Sequence, residues 1–266
     1  MAYLSGDVNL IAAVDGVRDF HSVNASAFFG IPYDRIRFDG TPEYFDNDTG
    51  ELVPPQEAKT LNKEIRNLAK RVNHGSNYNM GANVLLQTMG EKNVIQAKQL
   101  LGLPATLTMK GVCEFLLNRY EVTYPDVKGR WYKQVVNEIM TSGYLVNPLG
   151  WTRRCFGNPA KDKRALNAYV AHKPQSLNAS TLKKAFMNVF RNIALHPEHS
   201  KNFRLKAQIH DSILNQYRIG HEYLQKMVKA EMEFDVPVVD SYGIQRNLRV
   251  PADIKYGETS WGAIKD

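Results

Sequence analysis

Two short stretches of this 266-residue chain hold residue types that do chemistry. In RNLAKRVNHGSNYNMG, residues 66–81, the side chains of Arg66, Lys70, His74 and Tyr78 recur every fourth position. Four residues make about one helical turn, so on a helix they form a single, slowly drifting row. Two permanent cations, an imidazole and an aromatic ring offer phosphate-binding charge at one end and a stacking platform at the other. That layout suits a nucleoside triphosphate; a solvated charged face has the same spacing. The second stretch is KAQIHDSILNQY, residues 206–217, which sets His210-Asp211 between two apolar-alternating runs. A carboxylate on a rigid turn is a hard-oxygen ligand for a divalent cation. An ordinary polar turn also uses Asp there.

The surrounding pattern says what must position these groups. Leu61, Ile65, Leu68 and Val72 fall on one helical face, which predicts a strong helix from Pro55 to about Val72. Gly75 lies just past it, at a cost of about 1 kcal/mol against Ala, and would allow a base or backbone to come close. Phe203, Leu205, Ala207 and Ile209 alternate with polar residues, so 203–217 reads as a hairpin with His210-Asp211 at its tip. AYLSG at the start reads as a helix end stopped by Gly6, and helical pieces follow over 8–30, broken near Gly16. Residues 31–55 are rich in Pro, Gly and Asp and read as a long loop or small subdomain. Further helices are expected at 91–101, 106–120, 126–142, 176–195 and 220–233. A short hairpin is expected at 143–157, turning at Pro148-Leu149-Gly150, with an irregular tail after the last helix.

With 43% hydrophobic and 10% aromatic residues, the chain can bury a core in one or two domains. No apolar run reaches the roughly 18 residues of a membrane span, and no signal peptide is evident, so no membrane partner is expected. Cys113 and Cys155 lack metal-ligand spacing and read as buried free thiols of a reducing, cytoplasmic setting. The net charge of +7, from 34 Lys+Arg against 27 Asp+Glu, favours a polyanionic partner. Within 126–164 the cations Lys128, Arg130, Lys133, Arg153, Arg154, Lys161, Lys163 and Arg164 outnumber Asp126, Glu138 and Asp162.

Taken in order, these segments resemble the C-terminal part of a family A DNA polymerase, the family of bacterial DNA polymerase I and its phage relatives. AYLSGDVNLIAAVDGVRDFHSVNASAFFGIP resembles the stretch after the family's motif A, with its LSGD and D-x-H elements. Arg66, Lys70, Gly75 and Tyr78 match motif B, R-x3-K-x3-(F/Y)-G-x2-Y-G. NRYEVTYPDV resembles the family's RYPGV segment, and HKPQSLNAS its P-x-Q-G-T-A-A-D helix start, with Gln175 as the glutamine. IHDS matches motif C, and YGETSWGAI resembles the closing G-x-N-W.

The resemblance implies an α+β fold: a helix-rich fingers subdomain with part of an antiparallel-sheet polymerase palm. It implies residues 1–35 as the palm-to-fingers segment following motif A, 36–160 as fingers, and 161–266 as the C-terminal part of the palm. The implied activity is template-directed addition of dNTPs to a primer 3′ end by a two-metal mechanism. Asp211 would be a Mg²⁺ ligand with His210 near the primer terminus; Arg66, Lys70, His74 and Tyr78 would receive the nucleotide, Lys70 with a catalytic part. Gln175, Arg153, Arg154 and His210 would contact primer-template DNA. Motif A, D-Y-S-Q-I-E-L-R, would lie just before Ala2 and is absent from the 266 residues. The resemblance therefore implies a split polymerase of phage origin, working in the host-cell cytoplasm with a complementing chain that carries motif A and the thumb. Asp7 is expected to cap a helix instead of binding metal. His74 stands where the family has Phe or Tyr, Asn79 where it has Gly, and Ser212 where it has Glu. Ser212 keeps a single-subunit RNA polymerase relative open, and the basic charge a noncatalytic nucleic-acid-binding subunit.

Overall fold

The computed structural model describes residues 1–16, 18–37 and 55–257, with side chains from residue 60 onward in the helix that starts at Pro55. The 38–54 part of the expected loop and the YGETSWGAI motif beyond residue 257 lie outside the described residues. The chain forms two compact units. One comprises 1–145, 154–171 and 240–244; the other comprises 146–153, 172–239 and the segment from residue 245 onward.

The first unit is helical: α1 (Ala2–Ser5), α2 (Val8–Asp15), α3 (Phe20–Phe29), α4 (Tyr33–Ile36), α5 (Pro55–Asn77), α6 (Ala82–Met89), α7 (Glu91–Leu100), α8 (Met109–Thr123) and α9 (Tyr132–Ser142). A π-helical turn, Val127–Trp131, leads into α9. The expected breaks at Gly6 and Gly16 are present, and Asp7 caps α2 by accepting from the Leu10 amide at 2.9 Å. Gly6 has a left-handed φ of 69°, and a Cβ there would lie 2.8 Å from the Asp240 carboxylate. The hydroxyl of Ser241 donates to the Ser5 carbonyl, so the first turn and residues 240–244 interlock.

The α5 helix runs 23 residues, past Gly75. Ile65, Leu68, Ala69 and Val72 are buried on the face expected from their spacing. Phe28, Tyr120 and Tyr124 form a buried aromatic cluster, with centroids 5.3–6.4 Å apart. Burial also drives the Tyr120 and Tyr124 phenols well above their ordinary range, so both stay neutral donors. Tyr124 donates to Asn24 at 2.7 Å and Tyr120 to Asn77 at 2.6 Å, so the cluster grips the C-terminal end of α5. Tyr132 adds a bond to the Ser76 carbonyl at 3.1 Å.

In the second unit, β3 (Phe203–Ile209) and β4 (Ser212–Tyr217) form the expected hairpin. They pair from Phe203↔Tyr217 to Ile209↔Ser212, with a bulge at Lys206 between Leu205 and Ala207. Its inner side packs on a core of Val189, Ile193, Phe203, Leu224 and Val228, drawn from α10 (Lys163–Val189), a π-helical turn (Phe190–Ala194), β3 and α11 (Tyr223–Met232). The hairpin β1 (Tyr144–Val146) and β2 (Thr152–Arg154) turns where expected. Its loop is fixed by Asn147, whose Oδ1 accepts from the amides of Leu149 and Trp151.

An α+β fold is observed, but several expectations need correction. The helix expected at 176–195 begins at Lys163, because α10 runs through Pro174 where Lys-Pro reads as a break. Gln175 therefore stands inside a helix, not at its start. The α6 helix was not expected; flanked by Gly81 and Gly90, its eight residues are too short for a persuasive period. The tail contains a third hairpin, β5 (Val236–Val239) and β6 (Gln245–Leu248). Among the described residues the strands form three two-stranded sheets. Cys155 is half-exposed, so only Cys113 is a buried thiol. Among the described residues no helix is long and apolar enough to cross a membrane.

Candidate functional site

The row on α5 forms as its spacing predicts, beside the buried face. Lys70 and His74 are exposed, while Arg66 and Tyr78 are half-buried. The rings of His74 and Tyr78 meet edge to face, with centroids 5.1 Å apart. The last two turns of α5 thus present one ammonium and one imidazole, the latter paired with the Tyr78 phenol just past the helix end.

Arg66 is held differently from expectation. Its Nε and one terminal nitrogen donate to the two carboxylate oxygens of Asp19, each at 2.8 Å. This bidentate pair fixes the guanidinium plane. Asp19 also caps α3, accepting from the amide and hydroxyl of Ser22. Burial raises the Asp19 carboxyl, but the bonds from Arg66 and Ser22 and the guanidinium charge outweigh it and hold the group down to about 2. The bond to Asp19 raises Arg66 in turn. So the carboxylate stays ionised, and α3 and α5 are locked together at Arg66.

His21, two residues on, is the site residue that spacing along α5 does not reveal. Its Nδ1 is buried without a hydrogen-bond partner. Burial lowers its pKa first; Arg66, Lys70 and His74 lower it further, against the opposing charge of Asp19. His21 thus lies within the field of the basic row of α5 as well as that of Asp19. The D-x-H element was the one sequence signal for it.

Past Tyr78, Asn79 adopts a positive φ of 57°. Asn is among the few non-glycine residues that tolerate this conformation, which explains how it replaces Gly. Its Nδ2 donates to Asn167 Oδ1 at 2.8 Å. Gly75 does provide room for a close approach, but the group that fills it is Met80: a Cβ at 75 would lie 2.9 Å from its sulfur.

In the second unit, His210 and Asp211 occupy the two-residue turn between Ile209 and Ser212, both exposed. His210 takes the positive φ, 51°, that such a turn requires at its first position. The Ser212 hydroxyl donates to the Ile209 carbonyl at 2.8 Å and so closes the turn. Ser212 thus has a local structural role at the position where Glu was expected. An exposed carboxylate at the end of a paired ribbon fits a hard cation that also takes water ligands. Gln175 is exposed on α10, and Arg153 is half-buried near His172. Arg154, assigned to the first unit, is exposed with its guanidinium 5.3 Å from the Phe156 ring centroid. Two of the expected phosphate-facing cations are engaged within the protein: Lys128 pairs with Glu121, and Arg130 lies 4.0 Å over the Tyr242 ring.

Comparison with known proteins identifies the family. The chain is 26% identical over 271 residues to the DNA polymerase of Mycobacterium phage D29, covering 99% of this chain and 33% of that protein. It is 25% identical to the thermostable DNA polymerase I of Thermus caldophilus, covering 97% of this chain and 24% of the relative. The chain therefore spans about a quarter to a third of the curated relatives it matches. Its fold is similar to the POL domain of Pol1 from M. smegmatis, solved in complex with DNA primer-template and dNTP. That match has a TM-score of 0.61 and 22% identity, over 87% of this chain and 34% of that one. The model of DNA polymerase family A matches residues 47–262, which include α5 and the β3–β4 turn. The chain belongs to DNA polymerase family A.

Proposed function

We propose that this chain supplies the fingers, approximately residues 36–160, and the C-terminal part of the palm, approximately 161–266, of a template-directed DNA polymerase. The observation that carries the reading is the α5 row: Lys70, His74 and Tyr78 displayed in order beside Arg66, on a helix pinned at Asp19 and at its C-terminal end. Lys70 and Arg66 bind the triphosphate of an incoming dNTP, and Tyr78 with His74 lies against the base and sugar. The similarity to a polymerase domain solved with primer-template and dNTP supports this assignment of ligands.

Asp211 would hold Mg²⁺, which in a two-metal reaction supplies charge neutralisation at the reacting phosphate and lowers the pKa of the primer 3′-hydroxyl. Both residues are exposed at the β3–β4 turn, and in this reading His210 lies near the primer terminus. Gln175, Arg153 and Arg154 contact DNA, largely through its backbone. One carboxylate does not hold two such ions, and motif A is absent from these 266 residues. The proposal therefore requires motif A and a thumb beyond these 266 residues, on a longer polypeptide of which they are part or on a complementing chain as in a split phage polymerase.

The test is primer extension with the isolated chain, then with a motif-A-bearing polypeptide added. The isolated chain is expected to extend nothing and the mixture to incorporate dNTPs. Mg²⁺-dependent extension by the chain alone refutes the need for a partner. Preferential ribonucleotide incorporation by the mixture overturns the DNA polymerase assignment.

A further inference from the structure

Between the π-helical turn at 190–194 and strand β3, the sequence His196-Pro197-Glu198-His199 folds into a tight turn. The amides of His199 and Ser200 both donate to the His196 carbonyl, at 3.0 and 2.8 Å. That single helical turn puts positions 196 and 199 on the same side. Pro197 restricts the backbone within the turn, and Arg204 donates to the Ser200 carbonyl at its end.

The two imidazoles stack with centroids 4.9 Å apart and planes 26° apart. One ligand atom from each of His196, Glu198 and His199 lies within 4.8 Å of the others. His196 and Glu198 are exposed and His199 half-buried. On a tetrahedral ion with bonds of about 2.1 Å, donors stand roughly 3.4 Å apart. Rotation of the exposed side chains covers the difference without moving the backbone. His199 Nδ1 lies 3.5 Å from the Tyr223 hydroxyl on α11. With Nδ1–H donating there, the Nε2 lone pair is left for a metal, the outer bond that orients metal-binding histidines.

We propose that His196, Glu198 and His199 form a binding site for a borderline transition-metal cation of the Zn²⁺ class. Two imidazole nitrogens and one carboxylate select such an ion over Mg²⁺, which prefers oxygen. The exposed side leaves a fourth position for water. The site is separate from Asp211: the seven residues of β3 intervene, roughly 20 Å of extended chain. Its effect is structural, tying the 195–202 loop into one closed turn against α11.

The experiment uses the full chain with its thiols intact and reduced. Zn²⁺ binding is measured by competition with a chromophoric chelator, and Co²⁺ binding by visible absorption. Wild type is expected to bind one Zn²⁺ at micromolar concentration or below, to show the strong absorption of tetrahedral Co²⁺, and to gain thermal stability with Zn²⁺. His196→Ala/His199→Ala should lose that ion and that gain, while its metal-free circular dichroism matches wild type. His196→Gln alone should bind at least tenfold more weakly, and serves if the double variant folds poorly. Millimolar Mg²⁺ should leave the bound Zn²⁺ in place. The proposal is overturned if wild type takes up no Zn²⁺, if the variants retain wild-type stoichiometry and affinity, or if Mg²⁺ displaces the ion.

Discussion

Replacing Asp19 by Asn isolates the ion pair that locks α3 to α5. Asn still accepts the Ser22 amide bond, because Asn and Asp cap helices about equally well. What is lost is the charge of a bidentate pair whose two bonds are each 2.8 Å and whose side chains are 22% exposed. The carboxyl sits at about 2 against an ordinary 3.8, so at about 1.36 kcal/mol per unit the folded state gains roughly 2.4 kcal/mol from ionisation. Solvent screening at a half-buried pair reduces this, and a loss of about 1–2 kcal/mol is expected at pH 7. The sign follows from the lowered folded value. The contribution is complete above the unfolded pKa and is lost as pH falls, about half of it near pH 3. Urea unfolding followed by circular dichroism at pH 7, 5, 4 and 3 measures it. Wild type and Asp19→Asn should differ at pH 7 and 5 and converge towards pH 3. Equal stability at pH 7, or a gap undiminished at pH 3, refutes the reasoning.

In the assembled polymerase, Asp211→Ala should abolish extension while primer-template binding, read by fluorescence anisotropy, stays within about twofold. Lys70→Ala should weaken dNTP capture by about 1.5–3 kcal/mol, the worth of a charge-assisted contact, as read by single-turnover kinetics. In the same assay His74→Phe should change discrimination against dideoxynucleotides more than it changes the rate of dNTP addition. Asn79→Ala removes the bond to Asn167 and puts Ala at a positive φ, so unfolding should show a loss of about 1–3 kcal/mol. Cys113 is buried with its thiol pushed up to about 11, whereas Cys155 is half-exposed; alkylation at pH 8 should modify Cys155 first.

The parts legible in the sequence were those set by local period and by turn chemistry. The apolar face of α5, the cationic row beside it and the His210-Asp211 hairpin each follow from residues within a few turns of one another. Asp19 was beyond that reach, because its partner lies 47 residues away and no period links them. The course of α10 through Pro174 was hidden for the opposite reason: a strong local breaker is overridden where the flanking residues Val170 and Leu177 are buried. The β5–β6 hairpin escaped because its strands have four residues each, and the Pro237 between buried Val236 and Val238 disguises the alternation. Lys128 and Arg130 illustrate a similar limit for charge counting. A run of cations shows the field's sign, but not which members are already paired.

The interlock of Gly6 with residues 240–244 has a consequence for the order of events during synthesis. Ser241 reaches Ser5 across 236 positions of chain, and the Asp240 carboxylate rests where a side chain at position 6 would be. Synthesis passes Ser5 long before Ser241, so α1 waits for a partner made 236 positions later. Contacts of such long sequence separation are slow to form, because the intervening chain must first be brought together. Helices α3, α5 and α8 can assemble on the ribosome through the Phe28–Tyr120–Tyr124 cluster, the Tyr120–Asn77 bond and the Arg66–Asp19 pair, but α1 is closed only after translation has passed Ile244. Pulse proteolysis of ribosome-bound chains should therefore find the α1 turn cleavable until the 240–244 segment has emerged, and protected afterwards.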